Sequence, residues 1–94
     1  MKSFDWNQDK NLLLKARRGI GFDDASRAIL SHKLIATLNH PNQQKYPGQQ
    51  VFIVEINNYC YTIPFIESAD VIFLKTVIPD RKATKKYLTK RSTI

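Results

Sequence analysis

The residues in this sequence best suited to chemistry are cationic, and they are unevenly placed. Arg81, Lys82, Lys85 and Lys86 follow one another near the C-terminus, with Lys90 and Arg91 beyond them, and Arg17 and Arg18 stand side by side near the start. Of the formal net charge of +7, the stretch 75–94 carries seven basic side chains against one acidic. Such a local surplus makes a positive field that draws phosphate backbones or acidic protein surfaces. A guanidinium suits phosphate because its planar fork matches two oxygens, whereas a lysine acts as a mobile point charge. The plainer reading of the same run is a solvated basic tail. His32 and His40 are the only histidines, and histidine is the side chain best suited to move a proton near neutral pH. The simpler reading of either is an exposed residue with no such duty. Tyr59 and Tyr61 alternate onto one side of an apolar run, where they either stack bases or pack. Glu55 shares a strand face with Val51 and Ile53, as a solvent-facing carboxylate or as a partner for Lys75.

Cys60 is the single cysteine, so no intramolecular disulfide staples the fold. Within Tyr59-Cys60-Tyr61-Thr62-Ile63 it reads as a small buried hydrophobe. No His-Cys or Cys-Cys spacing suggests a metal site, and none is expected. The opening Met1-Lys2-Ser3-Phe4-Asp5-Trp6 lacks the apolar region of a secretory signal, and no apolar run is long enough to cross a bilayer. A cytoplasmic protein without membrane attachment is therefore expected.

These side chains need a frame. The 94 residues, 43% of them hydrophobic, suit one domain over 1–94 with a modest core. A short strand is expected around Phe4-Asp5-Trp6. Asn7 or Asp9 then caps a helix from Gln8 to Arg18, with Leu12, Leu13 and Ala16 as its apolar stripe. Arg17 and Arg18 suit its negative end, and Gly19 and Gly21 stop it. Asp23 and Asp24 open a second helix lined by Ala25, Ala28, Ile29 and His32. Lys33 to Leu38 reads as a strand and 39–50 as a polar loop. Three closely spaced strands follow: Val51 to Ile56, Tyr59 to Ile66 and Val71 to Ile78. Neighbours this close in sequence form an antiparallel meander, with Asn57-Asn58 as a tight turn. Pro64 cannot donate to a ladder and should fall at a bulge or an unpaired edge. Arg81 to about Lys90 forms a last helix, with Lys82, Lys85 and Lys86 on one side and Ala83, Tyr87 and Leu88 packing. The fold class is α+β, an antiparallel sheet of about four strands plus the short first one, with two N-terminal helices and a basic C-terminal helix.

Two stretches of this chain resemble the BrnT-type toxins of the RelE/ParE-like superfamily. The first is Phe4-Asp5-Trp6-Asn7, then Lys10-Asn11, then Arg17-Arg18-Gly19-Ile20-Gly21-Phe22-Asp23-Asp24-Ala25. The second is Val77-Ile78-Pro79-Asp80-Arg81-Lys82-Ala83-Thr84. The resemblance implies a RelE-like fold and the toxin of a type II toxin–antitoxin system, a ribonuclease that inhibits translation, with RNA as substrate, either free or on the ribosome, and an acidic, DNA-binding antitoxin as its partner; DNA would be met only through that antitoxin. RNA cleavage of this kind uses the tethered ribose 2′-hydroxyl as nucleophile, so the protein positions the strand, takes a proton and stabilises charge. It requires no metal or cofactor. Arg81, expected where a central strand hands over to a helix, matches the arginine of the closing motif and is the first candidate. Arg17 and Arg18 match the family's basic-His pair, with Arg18 in place of histidine, and arginine cannot act as a base at neutral pH. The replacement bases on offer are His40, Lys45 and Tyr46 in the loop beside the sheet, His40 foremost, and His32 at a helix end. Lys82, Lys85, Lys86, Lys45 and Tyr46 are the expected RNA contacts. Two arginines usual in the family's sheet stand here as Gln50 and Thr76, with Lys75 pointing to the other face. That departure supports the alternative, a RelE-like binding module without catalysis that grips an acidic protein or nucleic acid.

Overall fold

The computed structural model describes residues 2–88. The chain begins with strand β1 (Ser3–Asp5) and helix α1 (Gln8–Arg18). Asn7 starts α1 by accepting a hydrogen bond from the Lys10 amide, and Gly19, at φ 73°, ends it in the left-handed conformation that glycine adopts without strain. Helix α2 (Phe22–Leu30) follows two residues later. Its first turn holds Asp23 and Asp24, as the acidic pair predicts. Gly21 has no side chain to cap that turn, and Asn11 of α1 does so instead: its Oδ1 accepts from the Phe22 amide at 2.7 Å. The helices are drawn so close that a Cβ on Gly21 would lie 2.2 Å from Asn11 Oδ1.

Five strands complete the sheet: β2 (Leu34–Asn39), β3 (Gln50–Ile56), β4 (Tyr59–Glu67), β5 (Val71–Leu74) and β6 (Ile78–Pro79). Asn57 and Asn58 make the β3–β4 turn with φ of 53° and 63°, the backbone twist that a two-residue hairpin demands. The strand order is β1-β5-β4-β3-β2, with β6 also on β4. The expected antiparallel meander of β3, β4 and β5 is present, and two features correct the expectation of a wholly antiparallel sheet with an unbroken last strand. β1 runs parallel to β5, pairing Ser3 with Val71 and Asp5 with Phe73, so the sheet is mixed. The expected strand 71–78 is also broken. Phe65 pairs with Leu74, but Thr62 pairs with Ile78, which leaves one extra residue on the β5–β6 side. Pro64 explains the break. Its carbonyl accepts from the Lys75 amide, so its nitrogen, which has no hydrogen, faces the same neighbour and cannot continue the ladder. The proline at a bulge is the outcome its chemistry predicts.

Alternation along β3 builds two cores. Phe52 and Val54 pack with Ile63, Phe65, Leu74, Val77 and the α1–α2 side, where Phe22 and Ala25 are fully buried. Val51, Ile53 and Cys60 face the other way, against Ala83, Tyr87 and Leu88. Those last three belong to helix α3 (Arg81–Ala83) and to the π-helical turn Thr84–Leu88 that continues it. Helices therefore cover both faces of the sheet. The part of the expected C-terminal helix at 89–90 lies outside the described residues. Cys60 is fully buried, as its apolar setting predicts. The stripe expected on α1 is the wrong one: Leu12 and Leu13 are 67% and 57% exposed, Ala16 is exposed, and Leu14 packs on the core instead. The cause is the α1–α2 clamp. Asn11 must face Phe22, and Leu14, three residues on, shares that side. His32 does not line α2; it lies beyond the helix, exposed, at φ 64°.

Candidate nucleic-acid interface

The stretches 4–25 and 77–84 meet at one corner of the sheet. α1 ends in Arg17 and Arg18, and the Arg18 guanidinium donates to the carbonyl of Val77 at 3.3 Å, just ahead of β6. Arg81 and Lys82 begin α3 directly after β6. Arg18 thus reaches β6 from the α1–α2 side, while α3 leaves it across the opposite face. Arg17, Arg18, Arg81, Lys82, Lys85 and Lys86 are all exposed. Lys86 lies over the Tyr87 ring, 5.3 Å from its centroid. Arg81 is not mounted on a central strand as expected. The strand before it has two residues and lies on the edge of β4, because the bulge has already broken the longer strand.

The corner is nevertheless rigidly built, through Asp80. Its Oδ1 accepts from the Ala83 amide at 2.9 Å and its Oδ2 from the Thr62 hydroxyl at 2.6 Å. Burial pushes the Asp80 carboxyl up, but the Thr62 hydroxyl, the Ala83 and Lys82 amides and the Lys82 charge outweigh it and hold the group below its ordinary value of 3.8. The Thr84 hydroxyl accepts from the Cys60 amide at 2.9 Å and donates to the Asp80 carbonyl at 2.8 Å. The start of α3 is pinned to β4 through Thr62 and Cys60 and braced within its own turn, with Arg81 and Lys82 carried on the outside of that turn.

A similar division runs through the opening stretch. Trp6 stacks on Phe22 with ring centroids 5.9 Å apart, Ile20 is buried, and Lys15 bridges Asp23 and Asp24 at 3.0 and 3.2 Å. Desolvation raises Asp23, yet the hydrogen bond and charge of Lys15 prevail and lower it; Lys15 is raised in turn by its bonds to Asp23 and Asp24. Asp24 also accepts from the Gly21 amide. Asn, Gly, Phe and Asp in this stretch all serve the α1–α2 junction. Arg17, Arg81 and Lys82 have no such work in the described structure.

The remaining candidates fall elsewhere. His40, Lys45 and Tyr46 occupy the β2–β3 loop, at the end of the strands opposite the Asn57–Asn58 turn. Asp80 bonds to Cys60, which pairs with Glu55, whereas His40 bonds to Gln49. Six residues of β3 separate those levels, about 20 Å at strand rise. His40 is committed to the loop itself: Nδ1 accepts from the Asn42 amide at 3.0 Å, and its ring lies 4.4 Å from that of Tyr46. Lys45 sits over the Tyr46 ring at 5.5 Å. Tyr59 and Tyr61 make an edge-on pair at 5.8 Å on the α1–α2 face, and both are half-buried. Gln50 opens β3 and Thr76 lies inside the bulge. The bulge also breaks the alternation assumed for Lys75: Leu74 and Val77, three apart, enter the same core, and Lys75 lies exposed over Phe73.

A cleft of about 360 Å³ opens between α2 and the β3 end, lined among others by Arg27, Lys33, Asp24 and Glu55. Its charges are mixed, and Arg27 and Asp24 pair within it, so it is no polyanion groove. Sequence reasoning missed it because its walls come from α2 and β3, far apart in the chain. Among the described residues no helix is long and apolar enough to cross a membrane. No family model matches the chain, and searches of curated proteins and of solved structures returned no match.

Proposed function

We propose that this chain is a RelE-like, BrnT-type toxin that engages RNA at the β6 corner and inhibits translation by cleaving it. One observation carries the reading. Within the two family-like stretches the uncharged residues largely build the junctions, Arg18 bonds to Val77 just ahead of β6, and Arg81 and Lys82 stand exposed directly after that strand, with Arg17 exposed in the same last turn of α1 as Arg18. Arg81 and Arg17 hold the phosphates and stabilise developing charge; Lys82, Lys85 and Lys86 extend the track along the α3 side. The same cationic surface suits an acidic antitoxin, which would silence the protein by covering it. In a translation extract the purified chain should degrade message and stop synthesis, and Arg81→Ala should slow this by at least tenfold, the order expected for one charge-stabilising group. A wild-type chain that leaves message intact and does not slow growth when expressed overturns the enzymatic reading.

A second reading has its own support. His40 lies about 20 Å along the sheet from Arg81 and is spent on its own loop, so the corner gathers charge without His40. This favours a module that binds polyanions and does not cut them. It predicts tight, salt-sensitive RNA binding with the RNA recovered whole.

A further inference from the structure

The sheet has two outer edges, and they are finished differently. On the β1–β5–β6 side, β1 is three residues long and carries Asp5; Lys2 pairs with Glu67 beside it; Arg18 caps the Val77 carbonyl; Pro79 of β6 has no amide hydrogen. Short strands, charges and proline are the ordinary protections of a free edge. On the other side β2 (Leu34-Ile35-Ala36-Thr37-Leu38-Asn39) has none of them. It is six residues long, contains neither charge nor proline, and Leu38 stands 46% exposed. Among the described residues no strand pairs with its outer side.

The register states what is on offer there. His40 bonds to Gln49, and Leu38 and Ala36 follow at the same phase against Val51 and Ile53. Their amides and carbonyls are used by β3. Those of Thr37 and Asn39 point outward, since the bonding direction alternates along an antiparallel strand. We propose that this edge joins a second copy of the chain, β2 against β2, antiparallel about a two-fold axis through Leu38. In that register Thr37 of each copy faces Asn39 of the other, and each pair exchanges both main-chain hydrogen bonds. Leu38 meets Leu38 across the axis, on the face that already holds Val51 and Ile53, and its exposed surface is covered. The irregularity between Leu34 and Ala36 lies outside the paired core. The electrostatics select this edge for self-association. A chain of net charge +7 repels its copy through its basic surfaces, and β2 supplies six consecutive uncharged residues.

The test is the mass of the full chain in solution, with variants that fold as monomers. Sedimentation should give about twice 10.9 kDa for the wild type. Leu38→Lys, at a half-exposed side chain, and Thr37→Pro, at an amide β3 does not use, should each halve that mass while leaving circular dichroism unchanged. Leu38→Cys should form a disulfide dimer under mild oxidation, because facing residues of a non-hydrogen-bonded pair lie about 4.5 Å apart at Cα, within disulfide reach. Lys33→Cys, five residues off the axis, should not. A monomeric wild-type chain, including one that uses this edge only with a different protein, overturns the proposal. So does a Leu38→Lys variant that folds and stays dimeric, or cross-linking through Lys33→Cys in preference to Leu38→Cys.

Discussion

Single residues decide the two junctions that frame the candidate site. Gly21 is required by space: a methyl there would stand 2.2 Å from Asn11 Oδ1 and 2.9 Å from the Lys15 methylenes. Gly21→Ala should therefore force α1 away from α2 and cost about 1–3 kcal/mol, the range for overpacking a close contact, read as a lowered denaturation midpoint. If the variant melts with the wild type, the close approach of the helices is not what holds the junction. Asp80 decides the other junction. Its carboxyl is lowered by Thr62 and the α3 amides against the opposing pull of burial. A group with a depressed folded-state value stabilises the protein above its ordinary value and loses that contribution as pH falls through the folded one. Stability should thus decline as pH drops below about 4, and Asp80→Asn should flatten part of the decline, Asp23, lowered by Lys15, acting in the same direction. At neutral pH, Asp80→Ala should cost about 1 kcal/mol as a lost helix cap. Urea titrations at stepped pH check both; equal slopes for wild type and Asp80→Asn would remove Asp80 from the acid response.

At the scale of elements, position and type were largely legible, and the failures share a cause. The helix 8–18, the asparagine turn at 57–58 and the proline bulge follow from local chemistry that nothing overrides. The face of α1 does not follow, because three leucines in a row, 12–14, fit several stripes. Only the distant demand of Phe22 for Asn11 selects Leu14. The parallel pairing of β1 was likewise hidden, since it joins residues near 4 to residues near 72. For the site, the cationic residues are readable from charge alone, but which of them stand at β6 is not, and nothing in the sequence sets His40, Lys45 and Tyr46 at a distance from them. The clamp yields an element-level prediction. Asn11→Ala should remove the α2 cap and destabilise the fold by about 1 kcal/mol, whereas Leu12→Ala, at a 67% exposed side chain, should change the midpoint little. Thermal melts of the two variants separate these outcomes; a larger loss for Leu12→Ala would mean that α1 packs through the other stripe.

Across the whole molecule the charge is polarised along the strands, and this sets what a polyanion would feel. The β6 corner carries Arg17, Arg18, Arg81 and Lys82, while the opposite loop offers Lys45 with its ammonium over Tyr46. The two ends lie about 20 Å apart, about six phosphates at a stacked spacing of about 3.4 Å, so an oligoribonucleotide of about three nucleotides reaches only one of them and should choose the corner, where the cations are densest. Each phosphate neutralised releases counterions, and the logarithm of the binding constant falls against the logarithm of salt with a slope near −0.7 per contact on a single strand. Arg81→Ala should accordingly weaken binding and make the slope shallower by about 0.7, and Arg17→Ala should do the same if both guanidiniums sit on phosphate. Lys45→Ala should alter neither quantity. Fluorescence anisotropy of a labelled oligonucleotide across a salt series reads both at once. Should Lys45→Ala change the slope while Arg81→Ala does not, the anionic strand lies along the loop end of the sheet, and the β6 corner is left with no role in holding it.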